Sequence, residues 1–221
     1  GSTVNFVSTL AGGTNALTVT GNLDLDGAAT GLTTLSVSGT SNLGANVTTS
    51  STQTYTGAVT LSGADRTLTG STVNFVSTLA GGTNALTVTG NLDLDGAATG
   101  LTTLSVSGTS NLGANVTTSS TQTYTGAVTL SGGDRTLTGS TVNFVSTLAG
   151  GTNALTVTGN LDLDGAATGL TTLSVSGTSN LGADVTTSST QTYTGAVTLS
   201  GGDRTLTGST VNFVSTLAGG T

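Results

Sequence analysis

Asn22-Leu23-Asp24-Leu25-Asp26-Gly27 sets amide and carboxylate oxygens at alternate positions before a glycine, and it recurs at 91–96 and 160–165. Such a run resembles the first half of a calcium loop, which makes Asp24, Asp26, Asp93, Asp95, Asp162 and Asp164 candidate ligands. Calcium takes about six to eight oxygens. A helix-loop-helix site also closes with a glutamate, whereas the twelfth position from Asn22 is Thr33. The plainer reading is a strand end, with Leu23 and Leu25 inside and three polar groups outside. It is the one adopted: no metal ligand, cofactor-binding residue or catalytic residue is assigned. Two carboxylates can also serve as a glycosidase acid and base. Three tandem copies without an aromatic sugar platform argue against that.

Four other patterns carry weaker chemistry. Asp65-Arg66, copied as Asp134-Arg135 and Asp203-Arg204, comes just after a glycine at an expected turn. It reads as a solvated pair or turn cap, or as a bridge from Arg66 to acidic groups of a neighbouring fibre. Threonine rows on a flat face suit an ice lattice, but the pairs Thr60/Ser62, Thr87/Thr89 and Ser105/Ser107 mix in serine, which lacks the methyl. Asn46-Val47-Thr48 and Asn115-Val116-Thr117 are glycosylation sequons, and Asp184 breaks the third copy. Tyr55 and Phe6 read as core plugs or strand-end caps.

The composition limits what these groups can do. In 221 residues there are 35 Gly and no Pro, Cys, Met, Trp, His, Lys or Glu. Without His or Cys the commonest zinc, haem, thiol and Ser-His chemistries are excluded. Ten Asp against three Arg leave a net charge of −7, so the chain lacks the basic cluster that phosphate binding needs. No run of 18 apolar residues exists to span a membrane as a helix. Disordered chains favour Pro, Glu and Lys; this one is 34% hydrophobic, mostly Val, Leu and Ala. A folded, β-rich, non-enzymatic structural protein is expected.

What positions every one of these groups is a repeat. Residues 1–69 recur as 70–138 and 139–207, and 208–221 begin a fourth copy. The modules differ at two positions only: Asn46, Asn115 and Asp184; and Ala64, Gly133 and Gly202. No linker separates them, so one continuous array is expected. Within a module the period is two, as in Ala58-Val59-Thr60-Leu61-Ser62-Gly63. Aliphatics fall on one face and hydroxyls on the other. The inward set is Val59, Leu61, Leu68, Val73, Phe75, Leu79, Leu86, Val88, Leu92, Leu94, Leu104, Val106, Leu112 and Val116. That hexapeptide recurs at spacings of 27, 18 and 24 residues, a mean of 23, which suits about three β-solenoid coils per module. A looser motif, Thr/Ser-apolar-Thr/Ser-Gly, gives four. Three coils would advance ~14 Å and four ~19 Å along the axis. The rival fold is an array of β-sandwich domains.

The run from Ser51 to Leu61 (Ser-Thr-Gln-Thr-Tyr-Thr-Gly-Ala-Val-Thr-Leu), continuing to Asp65-Arg66-Thr67-Leu68-Thr69-Gly70, resembles the β-strand repeats of filamentous-haemagglutinin-like adhesins and autotransporter passenger domains. The resemblance implies a right-handed parallel β-helix secreted across a bacterial outer membrane, in a fibre or an adhesin stalk at the cell surface. The expected partner is the protein itself, end to end or side by side, with a cell surface or matrix second. No nucleic acid, cofactor or membrane insertion is expected.

Overall fold

A computed structural model describes residues 2–219; Gly1, Gly220 and Thr221, the outermost residues of the first module and of the partial fourth, lie outside the described residues. The chain divides into two compact units, Gly1–Gly108 and Thr109–Thr221. Each is a parallel β-solenoid, and no helix occurs among the described residues. Short Thr/Val/Leu runs favour the extended backbone, and their amides are satisfied by the turns above and below. Leu10 N–H, for example, donates to the Ala28 carbonyl at 2.9 Å.

In the first unit three ladders of inward positions run parallel to the stacking direction. The first is Val4, Leu23, Ser41, Val59, Leu79 and Ala98. The second is Leu10, Ala29, Val47, Leu68, Val88 and Val106. The third is Leu17, Leu35, Gln53, Val73 and Leu92. A turn of the solenoid therefore takes 18 to 21 residues and has three faces. The second unit repeats the plan, with Ser110, Val128, Leu148, Ala167, Val185 and Leu206 as one of its three ladders.

The module and the turn do not coincide. From Val4 the chain makes three turns to Val59 on the same ladder, then crosses Leu68 on the second to reach Val73 on the third. One 69-residue module thus spans three turns and two thirds of a fourth, between the two counts that the motifs suggest. In the second unit Val128 and its equivalent Val197 likewise stand on different ladders. Hexapeptide spacing mixes two quantities for this reason. The step from Val59 to Leu86 is a turn plus a face, whereas Leu86 to Leu104 is one turn on one ladder.

All fourteen inward residues named from the sequence are buried. The module junction at 69/70 falls inside the ten-residue strand Arg66–Phe75, and that at 138/139 inside Arg135–Phe144. Elsewhere the chain bends at corners. At Gly12-Gly13-Thr14-Asn15 both central residues have positive φ, 56° and 70°, and Asn15 N–H closes the turn on the Gly12 carbonyl at 3.0 Å. A β-branched residue in that region is strained. Thr83 and Thr152 repeat it.

Candidate functional site

Strand Asn22–Leu25 buries Leu23 and Leu25, so Asn22 and Asp24 face outward and Asp26 follows at the exposed corner. Both outward groups are held by the next turn. Asn22 Oδ1 accepts the Thr40 N–H at 3.0 Å, and Asp24 Oδ1 accepts Asn42 Nδ2–H at 2.8 Å. Asn160 and Asp162 make the same bonds, to Thr178 and Asn180. The depression beside them, about 440 Å³, is lined by Asn22, Asp24, Thr40, Asn42 and Thr60 among others. Among the described residues, no group of three or more Asp, Glu, His or Cys stands within reach of one metal ion.

Asp65 and Arg66 do not pair with each other. The Asp65 carboxylate accepts the Ala85 N–H of the next turn at 2.8 Å. Arg66 folds back, with Nη2 and Nε donating to the Ser62 carbonyl at 2.6 and 3.2 Å. Only 9% of it is exposed. Burial lowers its pKa from the ordinary guanidinium value, and nearby Asp65 opposes that. The geometry is that of a turn cap, and the guanidinium is turned toward its own backbone.

Among the described residues, threonine pairs meet on two neighbouring turns in each unit. Thr67 and Thr69 lie in register with Thr87 and Thr89, and Ser105 follows Thr87. In the second unit Thr136 and Thr138 meet Thr156 and Thr158, and Ser174 follows. The sequon asparagine is engaged by the backbone of the next turn. Asn46 Oδ1 accepts the Thr67 N–H at 2.9 Å, as Asn115 Oδ1 does for Thr136. Asp184 Oδ1 does the same for Thr205, also at 2.9 Å. A carboxylate replaces the amide there because only an acceptor is used.

Sequence reading passes over the most organised polar group, which lies inside. Gln53 is fully buried and donates through Nε2 to the Thr69 carbonyl at 2.8 Å and the Val47 carbonyl at 3.3 Å. Its Oε1 accepts the Tyr55 hydroxyl at 3.0 Å. The Tyr55 ring stacks on Phe75 of the next turn, centroids 5.5 Å apart. Tyr55 is thus a core plug, while Phe6 is half-buried. Burial pushes the Tyr55 hydroxyl far above its usual range. Thr49 completes the cluster, donating to the Ser51 carbonyl at 2.9 Å. The signal was parity: Gln53 and Tyr55 fall on the inward phase of strand Thr52–Tyr55. Ser41, Ser110 and Ser179 also point inward, each with an unpaired hydroxyl.

Apart from the arginine contacts, these arrangements recur from one module to another. Small hollows recur as well, one of about 190 Å³ beside Thr14, Gly31 and Leu32 and one of about 200 Å³ beside Thr152, Gly169 and Leu170. No helix among the described residues is long and apolar enough to cross a membrane. Comparison with protein-family models, curated proteins and solved structures gives no match.

Proposed function

We propose that this chain is the non-catalytic repeat region of an extracellular bacterial fibre, its role being to form a long, stiff β-solenoid at the cell surface. The observation that carries the reading is the placement of the module junctions. Residues 69/70 and 138/139 lie within continuous ten-residue strands, so a module ends on the same hydrogen-bonding edge from which the next begins. Units of this kind add without linkers, and each added turn buries more of the aliphatic ladder. The resemblance to filamentous-haemagglutinin-like and autotransporter repeats supports the secreted setting. The partner is the protein itself, through more modules in the same chain or through stacked copies.

Electron microscopy and fibre diffraction of material from the native source test this. A three-and-two-thirds-turn module advances ~18 Å along the axis, and one face meets its own sequence again after ~53 Å. Uniform thin fibres with these spacings are the expected result. Short rods that end in a globular head would replace the fibre with an adhesin stalk, and globular particles without either spacing would reject both.

A further inference from the structure

We propose that Asp26-Gly27, Asp95-Gly96 and Asp164-Gly165 are sites of spontaneous covalent modification, at which aspartate isomerises to β-linked isoaspartate in the folded protein. The chain offers little other labile chemistry. It has no Cys, Met or Trp to oxidise, and no Asn is followed by Gly. Among the ten aspartates only these three precede glycine; the others precede Leu, Arg or Val, whose side chains shield the next amide.

The fold itself imposes the glycine. A Cβ on Gly27 would overlap the backbone of Ser8 on the preceding turn; Ser77 stands against Gly96 and Ser146 against Gly165 in the same way. Each corner must therefore expose an unshielded amide nitrogen directly after Asp26, Asp95 or Asp164. That nitrogen is also loosely held. Phe6 O accepts Asp26 N–H at 3.0 Å and Gly27 N–H only at 3.2 Å, and Phe75 O accepts Asp95 N–H at 2.9 Å and Gly96 N–H at 3.4 Å. The three carboxyl groups are exposed and, among the described residues, engage in no hydrogen bond or ion pair. Asp24, Asp65, Asp134, Asp162 and Asp184, by contrast, are each fixed by a donor on a neighbouring turn.

The reaction needs no partner but water. The Gly27 nitrogen bonds to Cγ of Asp26, and the carboxyl oxygen leaves as water with the amide proton, closing a five-membered succinimide. Water then adds back. Cleavage of the N–Cγ bond restores aspartate. Cleavage at the main-chain carbonyl instead leaves Gly27 joined through Cγ, with a free α-carboxylate. Mass and oxidation state are unchanged, but the main chain gains a methylene where Gly27 already abuts Ser8. Modified corners should loosen the turn.

Folded protein incubated for weeks at neutral pH is assayed with an isoaspartyl methyltransferase, and the label is located by electron-transfer fragmentation. A denatured sample of the same chain serves as the reactive reference. Label should accumulate with time in the folded sample, several-fold more at Asp26, Asp95 and Asp164 than at all other aspartates together. The D26E/D95E/D164E variant, which keeps the charge but lengthens the side chain, should lose it while retaining the far-UV spectrum. No isoaspartate in the folded sample when the denatured one contains it would overturn the proposal. So would label spread evenly over the aspartates, or persisting in the variant.

Discussion

Two polar regions of the solenoid obey opposite rules. The buried cluster is the same in all three modules: Gln53, Gln122 and Gln191 donate to Thr69, Thr138 and Thr207, each at 2.8 Å. Their Oε1 atoms accept the tyrosine hydroxyls at 3.0, 3.0 and 2.9 Å. The arginine corner differs in each copy. Arg66 caps Ser62, Arg135 donates to the Gly133 carbonyl, and Arg204 reaches the carbonyls of Leu181, Ser200 and Asp203. Here too lies one of the two positions where modules differ: Ala64 gives way to Gly133 and Gly202, with φ of 131° and 126°. A group closed off from water has one way to satisfy its bonds. The guanidinium, half-buried at Arg135 and Arg204 and nearly buried at Arg66, has several backbone carbonyls within reach.

The strongest test of that contrast removes the inner amide. Replacing Gln53, Gln122 and Gln191 by Leu strands a tyrosine hydroxyl and takes the amide donor from two carbonyls per module, leaving that of Thr69 only the longer bond from the Thr49 hydroxyl at 3.4 Å. We expect a loss of about 3 kcal/mol or more per module, at about 1–3 kcal/mol for each unsatisfied buried group. Denaturant midpoints measure it, and a loss under ~1 kcal/mol would show that water enters the cluster.

Alkali reaches the same cluster through the tyrosines. Burial raises the hydroxyls of Tyr55, Tyr124 and Tyr193 above the ordinary value. Below pH ~10 folded and unfolded states are equally protonated at these groups, and the stabilisation is whole. Above it the unfolded chain sheds protons that the folded chain keeps. Stability then falls by up to ~1.4 kcal/mol per pH unit for each tyrosine. Lys, His and Cys are absent, so the melting temperature should hold level from pH ~6 to ~9.5 and drop beyond. A fall beginning near neutrality would contradict the burial.

Smaller effects are expected at the rim. Gly133→Ala places a side chain at a φ that ordinarily costs ~1–3 kcal/mol. The Ala64 module shows another solution for the same corner, so we expect under ~1 kcal/mol, as Arg135 moves to the Ser131 carbonyl. A cost above ~2 kcal/mol would mean the corner does not adapt. Smallest is Asn115→Asp, which keeps the acceptor for the Thr136 N–H and should change stability by less than ~0.5 kcal/mol.

Alternation makes the core legible, because in a strand parity alone decides which side chains face in. It holds within runs such as Val59–Leu61 and Leu86–Leu94. It slips inside Arg66–Phe75, where the register shifts between Thr69 and Thr72, and again in Ala98–Leu101, whose two ends are both buried. The same parity places Gln53 inside against the pull of its polar side chain. The turn length was not legible. One hexapeptide serves more than one face, and nothing in Ala58–Gly63 or Ala85–Gly90 says which. The partner of Arg66 was hidden for another reason: its carbonyl acceptor is a backbone atom, which leaves no trace in residue type. Asp24 and Asp26 look alike in the sequence and differ in the fold, since only Asp24 has an asparagine in register on the next turn.

The unfinished fraction of a turn in each module bears on how such a chain can change over generations. Within either unit, equivalent residues of successive modules sit on different sides. A substitution copied by duplication into neighbouring modules is therefore dealt out to different sides and makes no continuous stripe within either unit. A broad one-sided plane, whether to match a crystal lattice or to grip a surface, cannot arise by polishing the module. It requires neighbouring modules to diverge, and the two positions that vary here are both rim positions where divergence leaves the interior untouched.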